Sequence, residues 1–93
     1  MTPSHKRLIK RALADGFSVS LRCPEEGSWD LKRSVSYKDI IEGIEAVDEI
    51  EAYLIRGNEK IWVYIVLDYG EEDTINDHTD CPYMSALAEE GVI

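Results

Sequence analysis

Glu49-Ile-Glu-Ala-Tyr-Leu-Ile-Arg56, then Gly57-Asn58, then Lys60-Ile-Trp-Val-Tyr-Ile-Val-Leu-Asp68 is the stretch on which the fold turns. Period-two patterning and the enrichment in β-branched and aromatic residues make two strands, and Gly57-Asn58 makes the tight turn between them. Both faces of this hairpin are apolar. Ile61, Val63, Ile65 and Leu67 lie on one side, and Trp62, Tyr64 and Val66 on the other, with Tyr53 and Ile55 able to join them. An antiparallel sheet with one wet face alternates apolar and polar residues, so the outer face of this hairpin requires a cover. A third helix, from about Cys81 to Glu90, is the expected one, because Met84, Leu87 and Ala88 give it an apolar stripe. A second subunit or a partner protein would serve otherwise.

Moving upstream, Phe17-Ser-Val-Ser-Leu-Arg-Cys23 alternates without a fault, so Phe17, Val19, Leu21 and Cys23 are expected to face the core. Pro24 to Ser28 is turn chemistry, and Trp29-Asp-Leu-Lys-Arg33 returns as a strand with Trp29 and Leu31 inward. A first helix is expected from Ser4, as N-cap, to Ala14, with Leu8, Ile9, Ala12 and Leu13 on one face and Gly16 as the stop. A second helix opens at Ser36, with Asp39 three residues on, and buries Tyr37, Ile40, Ile41, Ile44 and Val47. Gly43 weakens that helix by roughly 1 kcal/mol relative to Ala. Tyr69 to Thr79 reads as an acidic loop, and Thr79 or Asp80 as the cap of the last helix, which ends at Gly91. The expected fold is therefore α+β: a four-stranded, mostly antiparallel sheet with helices on one face, in the order α-β-β-α-β-β-α. Phe17 and Ile50, Leu21 and Leu54, and Trp29 and Trp62 share a spacing of 33, a hint of an internal repeat.

The chain has 93 residues, which supports a single domain over 1–93, and its 44% hydrophobic content suits a globular core. No apolar run reaches the roughly 20 residues that span a bilayer, and Met1 to Lys10 lacks the apolar stretch of a signal peptide. A cytoplasmic address and reduced Cys23 and Cys81 are expected. The net charge is −9, split into +4 over residues 1–38 and −13 over 39–93. Affinity for phosphate backbones comes from Lys and Arg, so this balance argues against direct nucleic-acid binding and for a basic protein partner. The basic helix face Lys6, Arg7, Lys10 and Arg11 is expected to be solvated.

Motifs with chemistry are sparse. Six carboxylates fall within residues 68–80, without the ligand spacing and glycine of a calcium loop. His78 and Cys81 have the spacing of half a zinc site, but a structural site takes two close pairs. No nucleophile elbow and no glycine-rich phosphate loop is present. No enzyme activity, cofactor or metal is expected.

The segments Ala12-Leu-Ala-Asp-Gly-Phe-Ser-Val19, Leu31-Lys-Arg-Ser34 and Ile41-Glu-Gly-Ile-Glu-Ala-Val-Asp48 resemble uncharacterised small acidic proteins of bacteriophages and mobile elements. The resemblance covers the first half of the chain and implies a class of task, the inhibition of a host defence or nucleic-acid enzyme. It carries over no functional residue. The charge split departs from the uniformly acidic surface of strict nucleic-acid mimics.

The functional expectation is a non-enzymatic protein-binding module. Its docking residues would be Asp39, Glu42, Glu45, Asp48, Glu49 and Glu51, joined by Glu71, Glu72, Asp73 and Asp77 of the acidic loop, with Trp62 and Tyr64 as aromatic anchors. The alternative is a homodimer or larger homo-oligomer through the outer face of the second hairpin.

Overall fold

The structure, a computed structural model, describes residues 2–24, 27, 29–67 and 73–93. Its elements run α1 (Ser4–Ala14), β1 (Ser18–Arg22), β2 (Trp29–Ser34), α2 (Tyr37–Glu45), β3 (Glu49–Arg56), β4 (Glu59–Val66), β5 (Ile75–His78) and α3 (Pro82–Glu89). The strands form one antiparallel sheet in the order β2-β1-β3-β4-β5. The α+β class is as expected, but among the described residues the sheet has five strands where four were expected. Ile75–His78 lies inside the stretch read as an acidic loop. Ile-Asn-Asp-His has one apolar residue and no alternation, so nothing local marks it. It becomes a strand because the edge of β4 offers unpaired backbone groups, with Val66 N–H donating to the carbonyl of Thr74 and Thr79 N–H to that of Trp62. The two αββ units stand as hairpins joined through β1 and β3, the arrangement that a repeat of spacing 33 would make.

Every second residue of the central strands enters one core. Val19 and Leu21 of β1, Ile50, Ala52 and Leu54 of β3, and Ile61, Val63 and Ile65 of β4 are buried together with Leu8, Ile9 and Ala12 of α1 and Ile40, Ile41 and Ile44 of α2. Helix α3 adds Met84 and Leu87 to the same core. It therefore packs on the inner side beside α1, and the expectation that it covers the outer face of the second hairpin is corrected. Tyr83 anchors it there: its ring packs on Phe17 with centroids 4.8 Å apart and planes tilted by 43°, and its hydroxyl donates to Asp15 Oδ2 at 2.7 Å. Burial first, and then that hydrogen bond, push the Tyr83 phenol well above its usual range, while the Tyr83 hydroxyl holds the Asp15 carboxyl below its own.

Gly43 has a packing reason. A Cβ there would lie 2.7 Å from Leu21 Cδ1, so its absence lets α2 approach β1 closely. Tyr37, expected in the buried stripe of α2, is 40% exposed, and Val47 lies beyond the helix and is only partly buried. Trp29 is also corrected. It is 40% exposed on the outer face, because the pairing slips between Leu21↔Leu31 and Arg22↔Trp29. Two residues of β2 there match one step of β1, and this bulge turns Trp29 over. Cys23 falls just past β1 and is half-buried, not inward in the core.

Ser4 is not the cap of α1; Pro3 holds that position. Ser4 and His5 are instead buried against Thr74, 70 and 69 residues away. The amides of Thr74 and Ile75 donate to Ser4 Oγ, so its own hydrogen goes to Thr74 Oγ1, 3.1 Å away. Thr74 Oγ1 then accepts from Ser4 and from the amide of His5, which leaves its hydrogen for His5 Nδ1 at 2.9 Å. This count assigns the ring hydrogen of His5 to Nε2, which donates to Glu45 Oε2 at 3.0 Å. The network ties β5 to α1 and α2.

Candidate functional site on the open face of the sheet

The helices take one face of the sheet and leave the other open. Cross-strand partners share a face, so the register reads off its rows. Trp29, Arg22, Glu51, Tyr64 and Asp77 form one row across all five strands, and Ser20, Tyr53, Trp62 and Thr79 stand in the next. Ile55 and Lys60 follow, and Glu49 and Val66 close the other end. Tyr53, Ile55, Trp62, Tyr64 and Val66 are half-buried.

Each aromatic residue on this face is fixed. The Trp62 indole Nε1–H donates to Glu51 Oε2 at 2.8 Å, and the Tyr64 hydroxyl to Glu49 Oε2 at 2.7 Å. The two rings are parallel within 6°, with centroids 6.2 Å apart, and make one stacked pair. Trp29 meets Tyr53 edge-on at 5.2 Å. The hydrogen bond to Glu49 stabilises the protonated phenol and raises the Tyr64 pKa. Two cations of the chain itself engage the face: Arg22 approaches Glu51 at 3.7 Å, and Lys60 Nζ sits 4.9 Å over the Tyr53 ring.

Among the expected docking residues, the fold thus unites Glu49, Glu51, Asp77, Trp62 and Tyr64. It separates the rest. Asp39, Glu42 and Glu45 project from α2, whose buried Ile40, Ile41 and Ile44 press it onto the opposite side of the sheet. The acidic run from α2 into β3 is continuous in sequence and divided in space. Glu45 is engaged internally by His5 and Lys6, and the His5 bond first of all holds its carboxyl below the usual range. Asp48 and Glu49 line a shallow depression of about 370 Å³ with Cys23, Pro24, Ala46 and Val47. Asp73 is exposed just before β5, and Glu71 and Glu72 lie outside the described residues. Trp29, expected in the core, belongs to the open face, and no local signal marks it there because a bulge in the neighbouring pairing decides its side.

The charge polarity of the sequence is partly interleaved. Glu45, Glu51 and Glu90 of the acidic half pair with Lys6, Arg22 and Arg11 of the basic half. The basic face of α1 is largely occupied in this way: Arg11 also bonds Asp15, and Arg7 donates to the carbonyls of Val92 and Thr2. Among the described residues, no three His, Cys, Asp or Glu side chains gather to hold a metal ion. His78 Nδ1 lies 2.9 Å from the carbonyl oxygen of Thr79. No described helix is long and apolar enough to cross a membrane.

Comparison with protein-family models, with curated proteins and with solved structures yields no match to this chain.

Proposed function

We propose that the chain is a non-enzymatic binding module that docks a basic protein surface against the open face of its sheet. One observation carries this reading: an uncovered sheet face on which oriented aromatic rings alternate with carboxylates. Aromatic side chains in a desolvated centre supply most of the energy of typical interfaces, and complementary charge supplies rate and selectivity. A bare aromatic sheet also suits unpaired bases, but such surfaces carry Lys and Arg for the phosphates. Here Arg22 and Lys60 are already engaged by Glu51 and Tyr53, and Glu49 and Asp77 add further negative charge, which favours protein over nucleic acid.

The edges of the sheet point the same way. β2 is bulged and charged at Lys32 and Arg33, with Arg33 at φ 46°. On β5 the amides of Thr74 and Ile75 go to Ser4, and that of His78 to the side chain of Asp77. Edges treated in this way resist addition of a further strand, so recognition falls to the face. The resemblance to small acidic phage proteins supports a nucleic-acid-processing or defence enzyme as the partner and the cytoplasm as the setting.

The test is capture of a basic protein at low and high salt by the wild type, by Trp62→Ala with Tyr64→Ala, and by Asp39→Asn with Glu42→Gln. Loss with the first pair and retention with the second is the expected result. Equal capture by all three would sink the proposal. Ile55 and Val66 on the same face favour self-association as the second reading, although a two-fold contact there would bring like carboxylates together. Light scattering that shows a dimer dispersed by Trp62→Ala would establish it.

A further inference from the structure

We infer that the Tyr64 end of the open face, where the stacked pair Trp62 and Tyr64 lies between Glu49 and Asp77, receives a lysine or arginine side chain of the partner protein. The inference rests on the open face being the docking surface and names what that surface grips. Its basis is the chain's own use of the same chemistry elsewhere on the face. Glu51 is met by Arg22 at 3.7 Å and Tyr53 by Lys60 at 4.9 Å, so two of its carboxylate and aromatic positions are already matched by cations in cis. Tyr64, Glu49 and Asp77 are met by no cation among the described residues. The undescribed residues Met1, Glu25, Glu26, Ser28 and Asp68-Tyr-Gly-Glu-Glu72 include no Lys, Arg or His.

The hydrogen bonds settle what is left to offer. The Trp62 N–H and the Tyr64 O–H are spent on Glu51 and Glu49, so the rings present their π surfaces and, at Tyr64, a hydroxyl oxygen that can only accept. The negative face of an aromatic ring attracts a cation, best of all Trp. Glu49 accepts one hydrogen bond through Oε2 and Asp77 one through Oδ1, and an ionised carboxylate can accept several. A guanidinium or ammonium group set against the aromatic pair would find π density beside it and an anion on either side. A neutral or acidic side chain would leave those carboxylates desolvated and unmatched.

The experiment is an NMR titration of the full chain with tetra-arginine amide, following the indole resonances of Trp62 and Trp29. The expected result is a saturable shift of the Trp62 indole and of the Tyr64 and Asp77 amides, larger than that of Trp29. Glu49→Gln and Asp77→Asn each weaken binding by about fivefold, while Asp39→Asn changes it less than about twofold. Both variants keep an oxygen that accepts the existing hydrogen bond, so the fold is retained. Shifts centred on α2, or equal weakening by Asp39→Asn and Glu49→Gln, would show attraction to net charge alone and overturn the inference. If Trp62→Ala abolishes capture of the protein partner but Glu49→Gln and Asp77→Asn do not, the cation site falls and the docking face stands. If Trp62→Ala leaves capture intact, the docking face falls as well.

Discussion

The two sides of the hairpin β3–β4 are both apolar by composition, yet they are built differently. On the inner side, Ile50, Ala52, Leu54, Ile61, Val63 and Ile65 are aliphatic and buried under three helices. On the outer side, beside the half-buried Ile55 and Val66, the large residues Tyr53, Trp62 and Tyr64 are aromatic and half-buried, and Trp62 and Tyr64 are tied by their polar edges to carboxylates. Aliphatic side chains have no polar atom to satisfy and pack best in a sealed core. Tyr and Trp combine a large apolar body with a polar tip, which suits a surface wet in one state and covered in another. An apolar second face is therefore not sufficient sign of an intramolecular cover; the kind of apolar residue separates the two cases.

The sharpest way to break this comparison is to truncate both sides. Leu54→Ala on the inner side is expected to lower unfolding free energy by about 3 kcal/mol, as large-to-small changes in sealed cores do. Thr74→Val comes next. It keeps the shape but leaves the amide of His5 and the hydroxyl of Ser4 without an acceptor, at a cost of about 2 kcal/mol. Retained stability there would mean that β5 is held by its pairing with β4 alone. Trp62→Ala is expected to cost about 1 kcal/mol, the scale of a cross-strand pair, while abolishing partner capture. Denaturant melts of the three variants give the ranking, and a loss for Trp62→Ala as large as that for Leu54→Ala would erase the distinction between the faces.

Gly43→Ala sharpens the inner side further. The helix gains propensity, but the new Cβ meets Leu21 Cδ1 inside the sealed core, so a net loss of about 1 kcal/mol is expected. The smallest effect concerns pH. The Asp15 and Glu45 carboxyls are held below their ordinary values, by the Tyr83 hydroxyl and by His5 Nε2–H respectively. A lowered folded-state pKa favours the folded form above the unfolded pKa of about 4, and the contribution fades as pH falls through the folded value. Tyr83→Phe is expected to shrink the difference in stability between pH 7 and pH 3, measured by urea melts. An unchanged difference would locate the acid sensitivity away from Asp15.

Local pattern carried much of this molecule. The Ser36 cap accepts the amide of Asp39, Gly16 and Gly91 end their helices at φ 90° and 78°, and the alternation of β3 and β4 matches their burial, whereas in β1 Ser20, which the alternation places toward water, is buried and accepts the amide of Arg33. These signals act within a few residues, where side-chain and backbone preferences operate directly. Of the site, Glu49, Glu51, Trp62, Tyr64 and Asp77 were legible as residue types, but not as one group set apart from Asp39 and Glu42. Tertiary contacts decided the rest. Strand β5 depends on the edge of β4, the side of Trp29 on a bulge, the side of α3 on Phe17 and Asp15, and the places of Ser4 and His5 on Thr74 far along the chain. The bulge and the β4–β5 pairing join residues seven to fifteen apart and the contacts of α3, Ser4 and His5 join residues more than sixty apart, and in each case the hydrogen bonds and packing exist only once the strands have paired.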